Sequence, residues 1–123
     1  MNEFTPEYIS LCKNDKVQWL RPEYQTGDWY LWYQASIPEI AVQTFSNGET
    51  YTWLPTGDQL DAEIVKICKE RKYVYNIKVS IYPEVIYGCA IHKDRYNIAD
   101  YYESNTNPLI AKISLLIKLL ESE

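Results

Sequence analysis

Residues 56–91, TGDQLDAEIVKICKERKYVYNIKVSIYPEVIYGCAI, carry the two periodicities that decide the fold. Thr56 followed three residues later by Gln59 forms a capping-box pattern, in which each side chain satisfies a free backbone N–H of the first turn. Leu60, Ile64, Ile67 and Cys68 then recur at helical spacing, with Glu63, Lys66, Lys69 and Glu70 on the opposite side. Asp58 and Asp61 at the start and Arg71 and Lys72 at the end complement the helix dipole. Beyond Lys72 the period falls to two. Tyr73, Tyr75, Ile77, Val79 and Ile81 alternate with Val74, Asn76, Lys78 and Ser80, which predicts a half-buried strand. Pro83-Glu84 turns the chain, and Val85, Tyr87, Cys89 and Ile91 alternate again. Strands joined by so short a turn run antiparallel.

The flanks repeat this logic. Upstream, Thr5-Pro6-Glu7 reads as an N-cap with proline at the first helical position, and Tyr8, Ile9, Leu11 and Cys12 form the apolar side. A second short helix over about Asp15–Arg21 would carry Val17, Trp19 and Leu20 inward and stop at Pro22. Between Gly27 and Trp53 three antiparallel strands are predicted. Asp28–Gln34 is aromatic on both faces, Ile40, Val42 and Thr44 alternate, and Asn47-Gly48 joins 41–45 to 50–53 as a hairpin turn. Downstream, 93–106 is polar and tyrosine-bearing, with a last short strand or a surface loop at 96–102. Asn107-Pro108 caps a final helix with Leu109, Ile110, Ile113, Leu116, Ile117 and Leu120, an apolar arc wide enough to be deeply packed or shared with another subunit. The order helix, three strands, helix, two or three strands, helix predicts an α+β fold, a mainly antiparallel sheet covered by helices in a layered sandwich. With no linker, repeat or low-complexity tract in 123 residues, we expect a single domain over 1–123.

The approach to the central helix, Trp53-Leu54-Pro55-Thr56-Gly57-Asp58, and the start of the last one, Asn107-Pro108-Leu109-Ile110-Ala111, resemble small phage and prophage proteins of the alpha-beta-alpha sandwich type. The resemblance implies an accessory phage protein working in the cytoplasm of a bacterial host. That family has no general activity, so no catalytic residue follows from it.

Composition narrows the chemistry. Twelve basic against seventeen acidic residues leave a net charge of −5, which speaks against direct nucleic-acid binding. Apolar runs are short and Met1 is followed by polar Asn2-Glu3, so neither a membrane span nor a signal peptide is expected. Three widely spaced cysteines read as reduced thiols of a cytosolic protein. His92 is the one histidine, so a Cys–His nucleophile would have to pair it with Cys12, Cys68 or Cys89. Cys12 and Cys68 fall on apolar helix stripes, and Cys89 lies three strand residues from His92 and so on the opposite face. The same alternation removes a metal pair, so neither metal nor cofactor is expected. Asp58 with Asp61, and Asp100 with Glu103, are the carboxylate pairs a hydrolase would use, although helix electrostatics already accounts for the first. Four scattered glycines build neither GxGxxG nor a P-loop, and Lys66, Lys69, Arg71 and Lys72 read as a solvated helix face.

Twelve tyrosines and four tryptophans are the remaining excess, hard to bury completely in a chain of this length. Trp29, Trp32, Trp53, Tyr82 and Tyr87 offer stacking planes for a base, and His92 or Arg95 could meet a phosphate. Thr56-Gly57 adds free N–H groups at a helix start. The expected ligand site is therefore Trp53, Thr56, Gly57, Tyr82, Tyr87, His92 and Arg95, with no catalytic residue. These features lead us to expect a homo-oligomeric, non-enzymatic phage counter-defence protein that sequesters a nucleotide-derived immune signal. The alternatives are an inhibitor docking directly on a host defence protein, and a small nucleotide-signal hydrolase.

Overall fold

The computed structural model describes residues 4–46, 50–81, 83–94 and 98–122. Among these it has four helices and three antiparallel sheets, an α+β fold with 36% helix and 29% strand. The chain divides into two compact units, Met1–Thr56 and Gly57–Glu123.

In the first unit, α1 (Pro6–Cys12) starts as its sequence dictates, with the Thr5 hydroxyl accepting from the Tyr8 N–H at 3.2 Å. It buries Tyr8 and Cys12. The second helix is shorter than expected: α2 spans Asp15–Gln18, and Asn14 caps it by accepting from Lys16 and Val17. Val17 is buried, but Trp19 is 74% exposed, because two residues further on it stands about 200° around the helix from Val17. Strands β1 (Glu23–Tyr24), β2 (Trp29–Trp32), β3 (Glu39–Ile40), β4 (Phe45–Ser46) and β5 (Tyr51–Trp53) follow.

Their pairing corrects the expected hairpin. The β4 strand pairs with β1, and β5 with β2, so 45–46 and 51–53 belong to different sheets. Asn47-Gly48 lies outside the described residues. The three-stranded sheet runs β3-β2-β5. On one of its faces stand Tyr30, Tyr51 and Trp53, by register and alternation. Tyr24 and Phe45 of the β1–β4 ribbon pack against Tyr30 and Tyr51 there. On the other face Trp29 meets Phe4, their ring centroids 5.4 Å apart. The Gln18 amide ties α2 to β5, accepting from the Trp53 N–H at 2.7 Å and donating to its carbonyl at 3.0 Å.

In the second unit, α3 (Gly57–Arg71) buries Leu60, Ile64 and Cys68, as its spacing requires. It ends with Lys72 in the left-handed conformation, φ 61°, and the Tyr73 N–H donates back to the Cys68 carbonyl at 2.9 Å. This is the Schellman arrangement that glycine usually serves. The strands β6 (Val74–Ser80), β7 (Ile86–His92) and β8 (Tyr101–Asn105) form an antiparallel meander in that order. The last strand lies further along the chain than 96–102, starting where Tyr101 pairs with Ile91. The outer half of β6 is less covered than its alternation suggested, with Ile77 and Val79 each 48% exposed on an edge strand. Finally α4 (Pro108–Glu121) is capped by the Asn107 side chain, which accepts from Leu109 at 2.9 Å. Of its wide apolar arc, Leu109, Ile110, Ala111, Ile113, Leu115, Leu116 and Leu119 are buried against α3, β7 and β8. Most of the arc is thus buried, while Ile117 and Leu120 stay half-buried. No helix among the described residues is long and apolar enough to cross a membrane.

Candidate functional site

A cleft of about 400 Å³ opens in the first unit, lined by Tyr30, Ala41, Val42, Gln43, Phe45, Ser46 and Tyr51. Three of these residues are aromatic and pack directly against one another at steep angles. Tyr30 crosses Tyr51 at 89° and Phe45 at 80°, and Phe45 crosses Tyr51 at 60°, with centroids 5.2 to 5.4 Å apart. Tyr24 backs them, fully buried and stacked on Phe45 at 4.7 Å. All three lining rings are only half-buried. Each of the three residues therefore keeps part of its surface open to solvent.

Backbone geometry fixes the walls. Gly27 adopts φ 96°, a region L side chains rarely enter, and this turns the chain into β2. The Gly27 N–H donates to the Ala41 carbonyl at 2.9 Å, and the Ala41 N–H donates to the Asp28 carbonyl at 2.8 Å. Ala41 is thereby pinned, while Val42 beyond it is 86% exposed. Asp28 is the one buried charged side chain among the described residues. Its carboxylate accepts from Arg21 through both Nε and Nη2 and from the Gln25 N–H at 2.7 Å. Arg21 in turn lies over the Trp53 ring, 5.5 Å from its centroid.

The electrostatics of the cleft are one-sided. Among the described residues no lysine, arginine or histidine lines it. Beside it, the exposed Glu39 carboxylate accepts from the Tyr30 hydroxyl at 3.0 Å. Burial and then this acceptor push the Tyr30 phenol above its ordinary pKa, so Tyr30 stays protonated. Deeper in the same unit, the Tyr24 hydroxyl and the Trp53 indole N–H are buried with no hydrogen-bond partner.

Of the seven residues expected to form the site, the five that are described, Trp53, Thr56, Gly57, Tyr87 and His92, do not line this cleft. Trp53 is buried beneath Arg21 as part of the core. Thr56 closes the first unit, and Gly57 opens α3 with its Cα close to the Lys112 ammonium, where an added Cβ would stand 3.5 Å from Nζ. Tyr87 and His92 both sit on β7, five residues and about 17 Å apart, on opposite faces. Tyr82 and Arg95 lie outside the described residues. Of the lining residues, Phe45 and Ser46 lie on β4, a two-residue strand that shows no periodicity, and Tyr30 and Tyr51 lie on strands from which the sequence singled out the tryptophans alone.

A second polar cluster bridges the layers of the other unit. Asp61 on α3 accepts from the Tyr75 hydroxyl and from the Lys112 ammonium, each at 2.9 Å. The Tyr75 hydroxyl also lies 4.0 Å from the Cys89 sulfur. Burial raises the Cys89 and Cys68 thiols above their ordinary pKa and pushes Cys12 up to about 12, so all three are protonated near neutrality and poor nucleophiles. Among the described residues no three or more His, Cys, Asp or Glu side chains converge on a metal position. Comparison of the chain with family models, with curated proteins and with solved structures finds no match.

Proposed function

We propose that this is a non-enzymatic binding protein that sequesters a nucleotide-derived bacterial immune signal, holding the ligand's ring in the Tyr30, Phe45 and Tyr51 cleft. The cleft itself carries this reading: half-exposed aromatic walls suit a planar ring, and Gln43 and Ser46 supply neutral hydrogen-bonding groups. Among the described residues the lining side chains are aromatic, aliphatic or neutral polar, so recognition falls on the base. Protonated thiols favour storage over covalent chemistry. The resemblance to phage alpha-beta-alpha sandwich domains supplies the setting, a phage protein acting in the host cytoplasm. We further propose a homo-oligomer assembled through the aromatic strands, since α4 buries most of its apolar arc inside its own unit.

The test is incubation with cyclic and ADP-ribose-derived nucleotides, followed by heat denaturation and analysis of the released material. Intact ligand is expected; altered product would establish a hydrolase. A flat tryptophan-fluorescence titration with every member of both ligand classes would overturn the proposal. In that event the exposed Trp19, Tyr33 and Ile37 favour the second reading, a protein that docks directly on a host defence effector.

A further inference from the structure

We infer that the outer edge of β6 pairs with β6 of a second copy, antiparallel and centred on Ile77, joining two three-stranded sheets into one of six. The inference goes beyond the cleft and beyond assembly through the aromatic strands, because this contact lies wholly in the second unit. The sheet runs β6-β7-β8, so among the described residues β6 has a hydrogen-bonded neighbour on one side. In an antiparallel ladder, alternate residues direct their N–H and C=O groups to opposite sides, which leaves a row of donors and acceptors along the outer edge. Five consecutive residues of this strand, Asn76 to Ser80, are exposed. The opposite edge differs. There β8 is shorter, its Tyr101, Glu103 and Asn105 are half-buried, and Glu103 pairs with Lys118 of α4 at 3.3 Å.

The side chains select both partner and register. The Tyr75 hydroxyl donates to Asp61 of α3, so by alternation Tyr75, Ile77 and Val79 share the face that the helices cover. That cover is incomplete, since Ile77 and Val79 are each 48% exposed. A two-fold pairing matches like faces and sets one residue opposite its own counterpart. Ile77 is the midpoint of Val74–Ser80, so centring there pairs all seven residues. Ile77 then meets Ile77, and the half-open Val79 of each copy meets the other's Tyr75, which α3 holds. On the other face Lys78 meets Asn76, and Ser80 meets Val74. Every other centre pairs fewer residues, and the next one along sets Lys78 against Lys78, a like-charge pair that opposes that register. The strand is complementary to itself in one register, and this commits the edge to a second copy of the chain.

Sedimentation velocity of the full chain and of Ile77→Lys tests the inference, with circular dichroism to check the fold. Ile77 is exposed, so the substitution leaves the core alone and sets two like charges opposite each other. The full chain is expected as a dimer or a multiple of one, and the variant at half that mass. Unchanged mass in a folded variant overturns the inference and leaves assembly through the aromatic strands standing, whereas a monomeric full chain overturns both. Cysteine substitutions under mild oxidation read the register and do not depend on how Ile77→Lys folds. The native Cys12, Cys68 and Cys89 are buried and stay out of this reaction. Ile77→Cys is expected to give a disulfide-linked dimer. Val79→Cys, whose counterpart lies about 13 Å away along the paired strands, is expected to give about fivefold less. Equal cross-linking at both positions, or more at Val79 than at Ile77, overturns the inference.

Discussion

Replacing Arg21 by methionine tests whether the buried Asp28 pair holds the first unit in shape. Asp28 is 3% exposed and depends on two charge-assisted bonds from Arg21 and one from the Gln25 N–H. Methionine keeps the packing over Trp53 but removes both Arg21 bonds and leaves a buried carboxylate without its counter-ion. Breaking a buried pair in this way costs about 3–5 kcal/mol. The Arg21 side chain is 27% exposed, so water already screens the pair and we place the cost near the low end, about 3 kcal/mol. Asp28→Asn is the milder change: the amide oxygen still accepts from Gln25, and Arg21 can turn its charge to solvent. Its cost should be about 1–2 kcal/mol. The double variant Arg21→Met with Asp28→Asn should then be more stable than Arg21→Met alone, because no buried charge remains. The assay is urea unfolding followed by tryptophan fluorescence. All four tryptophans, Trp19, Trp29, Trp32 and Trp53, lie in the first unit, so the signal reports that unit alone. Equal costs for the two single variants, or additive costs in the double variant, would refute the asymmetry on which this reasoning stands.

Three other perturbations have defined outcomes. Lys72→Gly should stabilise the second unit by about 1 kcal/mol, since φ is 61° there, while Lys72→Ala should give no gain; thermal denaturation by circular dichroism compares them. Cys12, buried and with its pKa raised from 9.0 to about 12, is a group whose folded pKa exceeds its unfolded one. Its stabilising contribution is full below pH 9.0 and is lost as pH rises towards 12, by roughly 1 kcal/mol per pH unit; urea midpoints across that range should fall less steeply in Cys12→Ala. A Cβ on Gly88 would come 2.9 Å from the Tyr102 hydroxyl oxygen, so Gly88→Ala should be less destabilising in a Tyr102→Ala background than alone, by about 0.5 kcal/mol in a double-mutant cycle read by chemical denaturation.

What was legible follows from element length. α3 and α4 span 15 and 14 residues, long enough for period and caps to speak together, and both lie where their caps and spacing placed them. The β6–β7 hairpin was equally plain, with seven residues in each strand. The first unit was not, because its strands run from two to four residues and a two-residue strand has no period. There the pairing of β1 with β4 is set by Tyr24 and Phe45 packing on Tyr30 and Tyr51, a tertiary effect that sequence distance conceals. The cleft was not legible for the same reason. Chemical type picks out single residues, whereas the cleft is formed by the mutual arrangement of three rings on three strands. The aromatic excess was a sound signal; its address was not readable.

That excess has a structural cause and a remainder. Eleven of the eighteen aromatic residues fall within the first 56, a unit too small to build a core from aliphatic side chains alone. Large rings bury the most area per residue, and Phe4, Tyr8, Tyr24 and Trp53 are spent this way. A core would gain most by burying the others too. Instead Tyr30, Phe45 and Tyr51 stay half-open around a cleft, with a carboxylate beside them. Leucines at these three positions, if only the core mattered, would cost little more than the lost ring contacts, about 0.5–1.5 kcal/mol for each pair. If the rings serve a ligand, the same substitutions would leave a folded protein that no longer binds it. The two consequences separate in one measurement each, and the second is the one expected.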